Sequence, residues 1–167
     1  MEINIGKCVV YRSSEICRIV GIENKCFDGK TQREYCVLSP VSSDRATYYV
    51  PREVAGEKLR DLLTKDEILG IIDEIGAAAP ETLGKGEERK SRQNKILAGA
   101  DYTRILRLAR SLHLEQQKRS AAGKRLTSAD EKAMKAAESL IKSEFGYVLG
   151  IASDKVGEFI RERIGEE

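Results

Sequence analysis

Leu59-Arg60-Asp61-Leu62-Leu63-Thr64-Lys65-Asp66-Glu67-Ile68-Leu69-Gly70-Ile71-Ile72 holds the change of period that decides the fold. Before residue 63 the apolar residues fall in short runs separated by turn residues. After it they recur at a spacing of about 3.6, the repeat of a helix with one buried face. Thr64-Lys65-Asp66-Glu67 is a capping-box sequence. The Thr hydroxyl accepts from the Glu amide and the Glu carboxylate reaches back to the Thr amide. The chain therefore divides at this point, with residues 1–62 as a β module and residues 63–167 as a helical domain.

Upstream, residues 6–11 (GKCVVY), 15–23 (EICRIVGIE), 32–38 (QREYCVL) and 45–50 (RATYYV) read as strands. Ser13-Ser14, Asp28-Gly29, Ser39-Pro40 and Ser42-Ser43-Asp44 separate them, and Pro51 stops the fourth. Residues 58–62 (KLRDL) form a short fifth. Asp-Gly tolerates positive φ and favours a hairpin turn. Strands this short and closely spaced imply a small twisted sheet or barrel, with a thin core and open edges on which another protein's strand can pair.

Downstream, Ile68, Leu69, Ile71, Ile72 and Ile75 line one helix face, and residues 77–86 (AAAPETLGKG) are a linker. A helix resumes near Glu87. The clearest helix covers residues 101–120, with Asp101 as its cap and Tyr102, Ile105, Leu106, Ala109 and Leu112 on one face. Thr127 opens the next, whose stripe is Met134, Ala137, Ile141 and Val148; Gly150 ends it. Ser153-Asp154 caps a last helix that runs to Ile164.

The chain has 29 basic and 27 acidic residues, and this near balance hides a block. Residues 85–125 carry 12 basic and 4 acidic residues, a net charge of +8, between flanks of −3 each. Such a block repels itself unless it meets an anion. Arg89, Lys90, Arg92 and Lys95 fall within two helical turns, and Arg104, Arg107 and Arg110 share the polar face of the next helix. Rigid cations at helical spacing suit duplex phosphates or an acidic protein surface. No base-reading helix is evident, so DNA binding of little base specificity is expected.

Catalytic patterns are missing. There is no G-x-S-x-G, no phosphate loop and no H-E-x-x-H, and no apolar stretch is long enough to span a bilayer. One histidine and no C-x-x-C pair make a zinc site improbable. Cys8, Cys17, Cys26 and Cys36 read as reduced, structural thiols, three of them in strand-like runs. An enzyme pairing Cys17 or Cys36 with His113 is the rival that chemistry leaves open. No cofactor and no small-molecule substrate are expected.

Several segments together resemble one family. They are Ile5-Gly6-Lys7-Cys8-Val9-Val10-Tyr11, Gly21-Ile22-Glu23, Glu34-Tyr35-Cys36-Val37-Leu38 and Tyr49-Val50-Pro51 in the β module. In the helical part they are Arg89-Lys90-Ser91-Arg92, Leu97-Ala98-Gly99-Ala100-Asp101, Gly123-Lys124-Arg125-Leu126-Thr127-Ser128-Ala129-Asp130 and Glu144-Phe145-Gly146-Tyr147-Val148-Leu149-Gly150-Ile151. Their order and spacing resemble the CarD family of bacterial RNA-polymerase-binding transcription regulators.

The resemblance implies an α+β protein, with a small Tudor-like β module followed by an all-helical bundle. It implies docking of the module on the RNA polymerase β subunit and contact of the bundle with promoter DNA at the edge of the melted region. The polymerase-binding residues would be Lys25, Glu34, Tyr35, Val37 and Tyr49. Those facing DNA would be Arg89, Lys90, Arg92, Lys95, Arg104 and Arg107. The family places a Trp before its basic helix, where it wedges against a base step. This chain has no Trp, and the corresponding stretch, Leu83-Gly84-Lys85-Gly86, offers Leu83 as a smaller wedge. The family also has His-Gly or Asn-Gly where this chain has Ser14-Glu15, and a basic residue at the position of Tyr49. The resulting expectation is a cytoplasmic, nucleoid-associated regulator of open-complex stability. The alternative is an adaptor whose basic helices bind an acidic protein, without DNA action.

Overall fold

The structure is a computed structural model describing residues 2–43 and 45–166. Met1, Asp44 of the expected Ser42-Ser43-Asp44 turn, and Glu167 lie outside the described residues. The chain forms two compact units, residues 1–62 and 63–167.

The first unit is a five-stranded antiparallel sheet in the order β4-β3-β2-β1-β5. Its strands are β1 (Cys8–Tyr11), β2 (Glu15–Lys25), β3 (Arg33–Pro40), β4 (Tyr48–Pro51) and β5 (Leu59–Asp61). Strand alternation sends Val9, Cys17, Ile19, Cys36, Leu38, Val50 and Leu59 into one core. The β1–β2 turn is closed by Arg12 at φ 58°. Register shifts between Ile19 and Gly21, where β2 bulges against β3. The Asp28-Gly29 turn is wider than a two-residue hairpin. Asp28 Oδ1 accepts from the Thr31 and Lys30 amides at 2.8 and 3.0 Å. These bonds lower its pKa to about 2. Ser39-Pro40 ends β3 as expected: Pro40 is the strand's last residue and pairs with Cys17. One short helical turn, α1 (Ala55–Lys58), precedes β5, and Ala55 enters the core.

The second unit is helical: α2 (Lys65–Ala77), α3 (Gly86–Ala98), α4 (Tyr102–Ala121), α5 (Ser128–Leu149) and α6 (Val156–Ile164). The Thr64/Glu67 capping box forms in both directions. Asp101 caps α4 through the Arg104 amide, and Thr127 caps α5 through the Asp130 amide. Gly150 ends α5 at φ 68°, a left-handed conformation that costs a side-chain-bearing residue free energy. Ser153-Asp154 does not cap α6. It lies in a short 3-10 turn, and α6 has no side-chain cap. Ile68, Ile72 and Ile75 meet Ile105, Leu108, Leu112, Ile141 and Phe145 in one core. Among the described residues no helix is long and apolar enough to cross a membrane.

Candidate protein-docking face and the basic helices

Strand pleating gives the sheet a second face, opposite the Cys36–Leu38–Val50 side. Gly21, Glu23 and Lys25 of β2 lie opposite Val37, Tyr35 and Arg33 of β3, and Val37 lies opposite Tyr49 of β4. Three rings meet there. Phe27 stands edge-on to Tyr35 at 5.0 Å and to Tyr49 at 5.3 Å, and the two tyrosines are 6.5 Å apart. Phe27 is 63% exposed and Tyr49 38%. The Lys25 ammonium sits 5.7 Å from the Tyr49 ring centre and 2.9 Å from Glu23. That hydrogen bond, with the charge behind it, raises the Lys25 pKa.

Of the five residues expected to bind polymerase, Lys25, Tyr35, Val37 and Tyr49 come together on this face. Val37 is buried rather than offered at the surface. Glu34 departs from the expectation. The two-residue period places it with Cys36 and Leu38, where it pairs with Arg52 at 2.6 Å. Phe27 carries no signal in the sequence. It lies after the end of β2, where alternation gives no direction, and only the ring contacts reveal its place.

The helical unit treats its cations differently from the expectation. Arg89 donates to Asp130 through Nε at 2.7 Å and pairs through Nη2 with Glu115 at 2.5 Å. Its side chain is 20% exposed and Asp130's 2%. Gln93 and Thr127 also donate to Asp130. Burial opposes ionisation of Asp130, but the hydrogen bonds outweigh it and hold the carboxyl below its usual range. Arg89 therefore joins α3 to α4 and α5 and is not free to meet a phosphate.

Arg110 pairs with Glu166 at 2.6 Å and donates to the Ile75 and Ala78 carbonyls. Arg107 lies 3.8 Å from both Glu74 and Glu81, with its Nε buried and unbonded. Arg104 is 3.8 Å from Glu81. Arg92 donates to the Thr82 carbonyl at 2.6 Å and lies 3.5 Å from Glu88. Lys90 and Lys95 are exposed and have no ion pair among the described residues. With Ser91 and Asn94 they form the solvent-facing arc of α3.

Leu83 also departs from the expectation. At 5% exposure it is part of the helical core, so its side chain is not presented as a wedge. A lone leucine in a Gly/Pro-containing linker gives no sequence signal for its direction.

All four cysteines are free. Burial pushes the Cys17 thiol up to about 11 and raises Cys36 as well. His113 is bonded to Glu138 at 2.8 Å. A protonated, core-packed thiol is a poor nucleophile, and the cysteine–histidine reading loses its support. No group of three His, Cys, Asp or Glu among the described residues could hold a metal ion.

The family model described as the CarD-like/TRCF RID domain matches residues 3–63. The N-terminal unit is a CarD-like/TRCF RID domain. The RID domain is a protein-interaction domain that in this family binds the RNA polymerase β subunit, and it gives the chain a transcription-related role. The match covers the sheet and ends where the helices begin. No curated protein matches the chain.

Proposed function

We propose that this protein is a transcription regulator whose RID unit docks on the RNA polymerase β subunit through the Phe27–Tyr35–Tyr49 face, and whose helical domain contacts promoter DNA and modulates open-complex stability. The observation that carries the reading is an exposed three-ring cluster on a sheet whose family binds that subunit. Large exposed aromatic clusters on a monomer mark interaction sites.

The DNA part rests on fewer residues than the charge block suggested. Lys90 and Lys95 are exposed cations of α3 without an ion pair among the described residues, and Arg92 of α3 and Arg104 of α4 are half-exposed. Contacts of this kind go to phosphates and carry no base specificity. Two weak contacts in one chain raise each other's effective concentration at the promoter.

The test is duplex DNA binding by the full chain across a salt titration, with and without polymerase. About two to four phosphate contacts give a shallow negative slope of log affinity against log salt. The double variant Lys90→Glu/Lys95→Glu should abolish that slope and leave polymerase binding intact. DNA binding that is absent at low salt, or unchanged in the double variant, removes the DNA part. One other reading is an adaptor whose helices bind an acidic protein; the internal pairing of Arg89, Arg107 and Arg110 leaves it the same few exposed cations as the DNA reading. Polymerase binding without any DNA binding would select it.

A further inference from the structure

The charges around the three-ring face are already neutralised by one another. Lys25 is held by Glu23 at 2.9 Å and Arg33 by Glu53 at 3.1 Å. The adjoining loop adds Asp28 and Lys30, one of each sign. Lys25 is committed twice, to the Glu23 carboxylate and to the Tyr49 ring. A partner's carboxylate would meet an ammonium whose charge Glu23 already offsets, and an exposed pair of this kind is worth little.

The centre of the face is different. Phe27 is the most exposed of its three rings and has no polar atom to satisfy. Its edge-on contacts with Tyr35 and Tyr49 hold it in place before any partner arrives. A ring already ordered loses little entropy on binding. An apolar centre inside a rim of paired charges has the anatomy of an interface hot spot.

We infer that docking through this face is anchored by apolar contact, with an uncharged aliphatic or proline surface of the polymerase β subunit seated against Phe27 and Tyr49, and not by ion pairs to Lys25. This rests on the docking reading above and assigns the chemistry of the surface it must meet. Lys25 is then a positioning residue whose ammonium lies over the Tyr49 ring.

The experiment measures binding of the full chain to purified RNA polymerase at about 50 and about 500 mM NaCl, a range over which exposed ion pairs are strongly screened. Affinity should change by less than about threefold. Phe27→Ala and Tyr49→Ala should each lose about tenfold or more, whereas Lys25→Gln should lose less than about threefold. Thermal melts of each variant confirm the fold; Phe27→Leu, which keeps an apolar side chain, should retain more affinity than Phe27→Ala. Binding that falls about tenfold with salt, or a Lys25→Gln loss as large as that of Phe27→Ala, overturns the apolar anchor and leaves docking standing. No binding at either salt overturns docking and the anchor together.

Discussion

At the residue scale, Asp130 is the side chain on which most of the helical unit's polar interior converges. Arg89, Gln93 and Thr127 all donate to it. Removing one partner of a buried pair leaves the other charge uncompensated, which costs about 3 kcal/mol or more. Asp130→Ala should therefore lower the urea stability of the helical unit by about 3 kcal/mol, read by helical circular dichroism. The pH dependence has a definite sign. Asp130 and Glu115 both ionise more readily folded than unfolded, so their contribution is full above the unfolded value of about 4. It is lost as pH falls through the lower folded values. Stability should drop below about pH 4, and Asp130→Asn should flatten that drop.

At the element scale, the capping box decides where the helices begin. Thr64 accepts from the Glu67 amide at 3.2 Å, and Glu67 Oε2 accepts from the Thr64 amide at 2.7 Å. Thr64→Ala should cost about 1 kcal/mol, measured by denaturant melts of the full chain. Element positions were legible because caps and periods are local: Thr64, Asp101, Thr127 and Gly150 all act where the sequence places them. Ser153-Asp154 is the exception, because a Ser-Asp pair favours a tight turn as readily as a cap. The two-residue period also separates Glu34 from Tyr35, but deciding which of them faces a partner needs the sheet.

At the scale of the whole molecule, folding pairs the arginines of the basic block with acids. Residues distant in sequence bring the acids: Asp130 and Glu115 to Arg89, Glu166 to Arg110, and Glu74 and Glu81 to Arg107. This changes the sign of an expected salt effect. An unneutralised block of +8 would be stabilised by salt, because screening weakens repulsion. Paired arginines predict the opposite. Raising NaCl from about 50 to about 500 mM should leave the urea midpoint of the helical unit unchanged or slightly lower. A clear rise would show that repulsion persists.

The sequence alone determined the strand and helix order, the division near residue 63, the caps and most of the core, because each depends on neighbours within a few residues. Tertiary structure alone decided that Phe27 meets Tyr35 and Tyr49, that Leu83 turns inward, and that Arg89 serves the fold. Ring contacts and ion pairs depend on distance through space, and separations of 26 and 41 residues along the chain, as between Arg89 and its two acids, carry no trace of it.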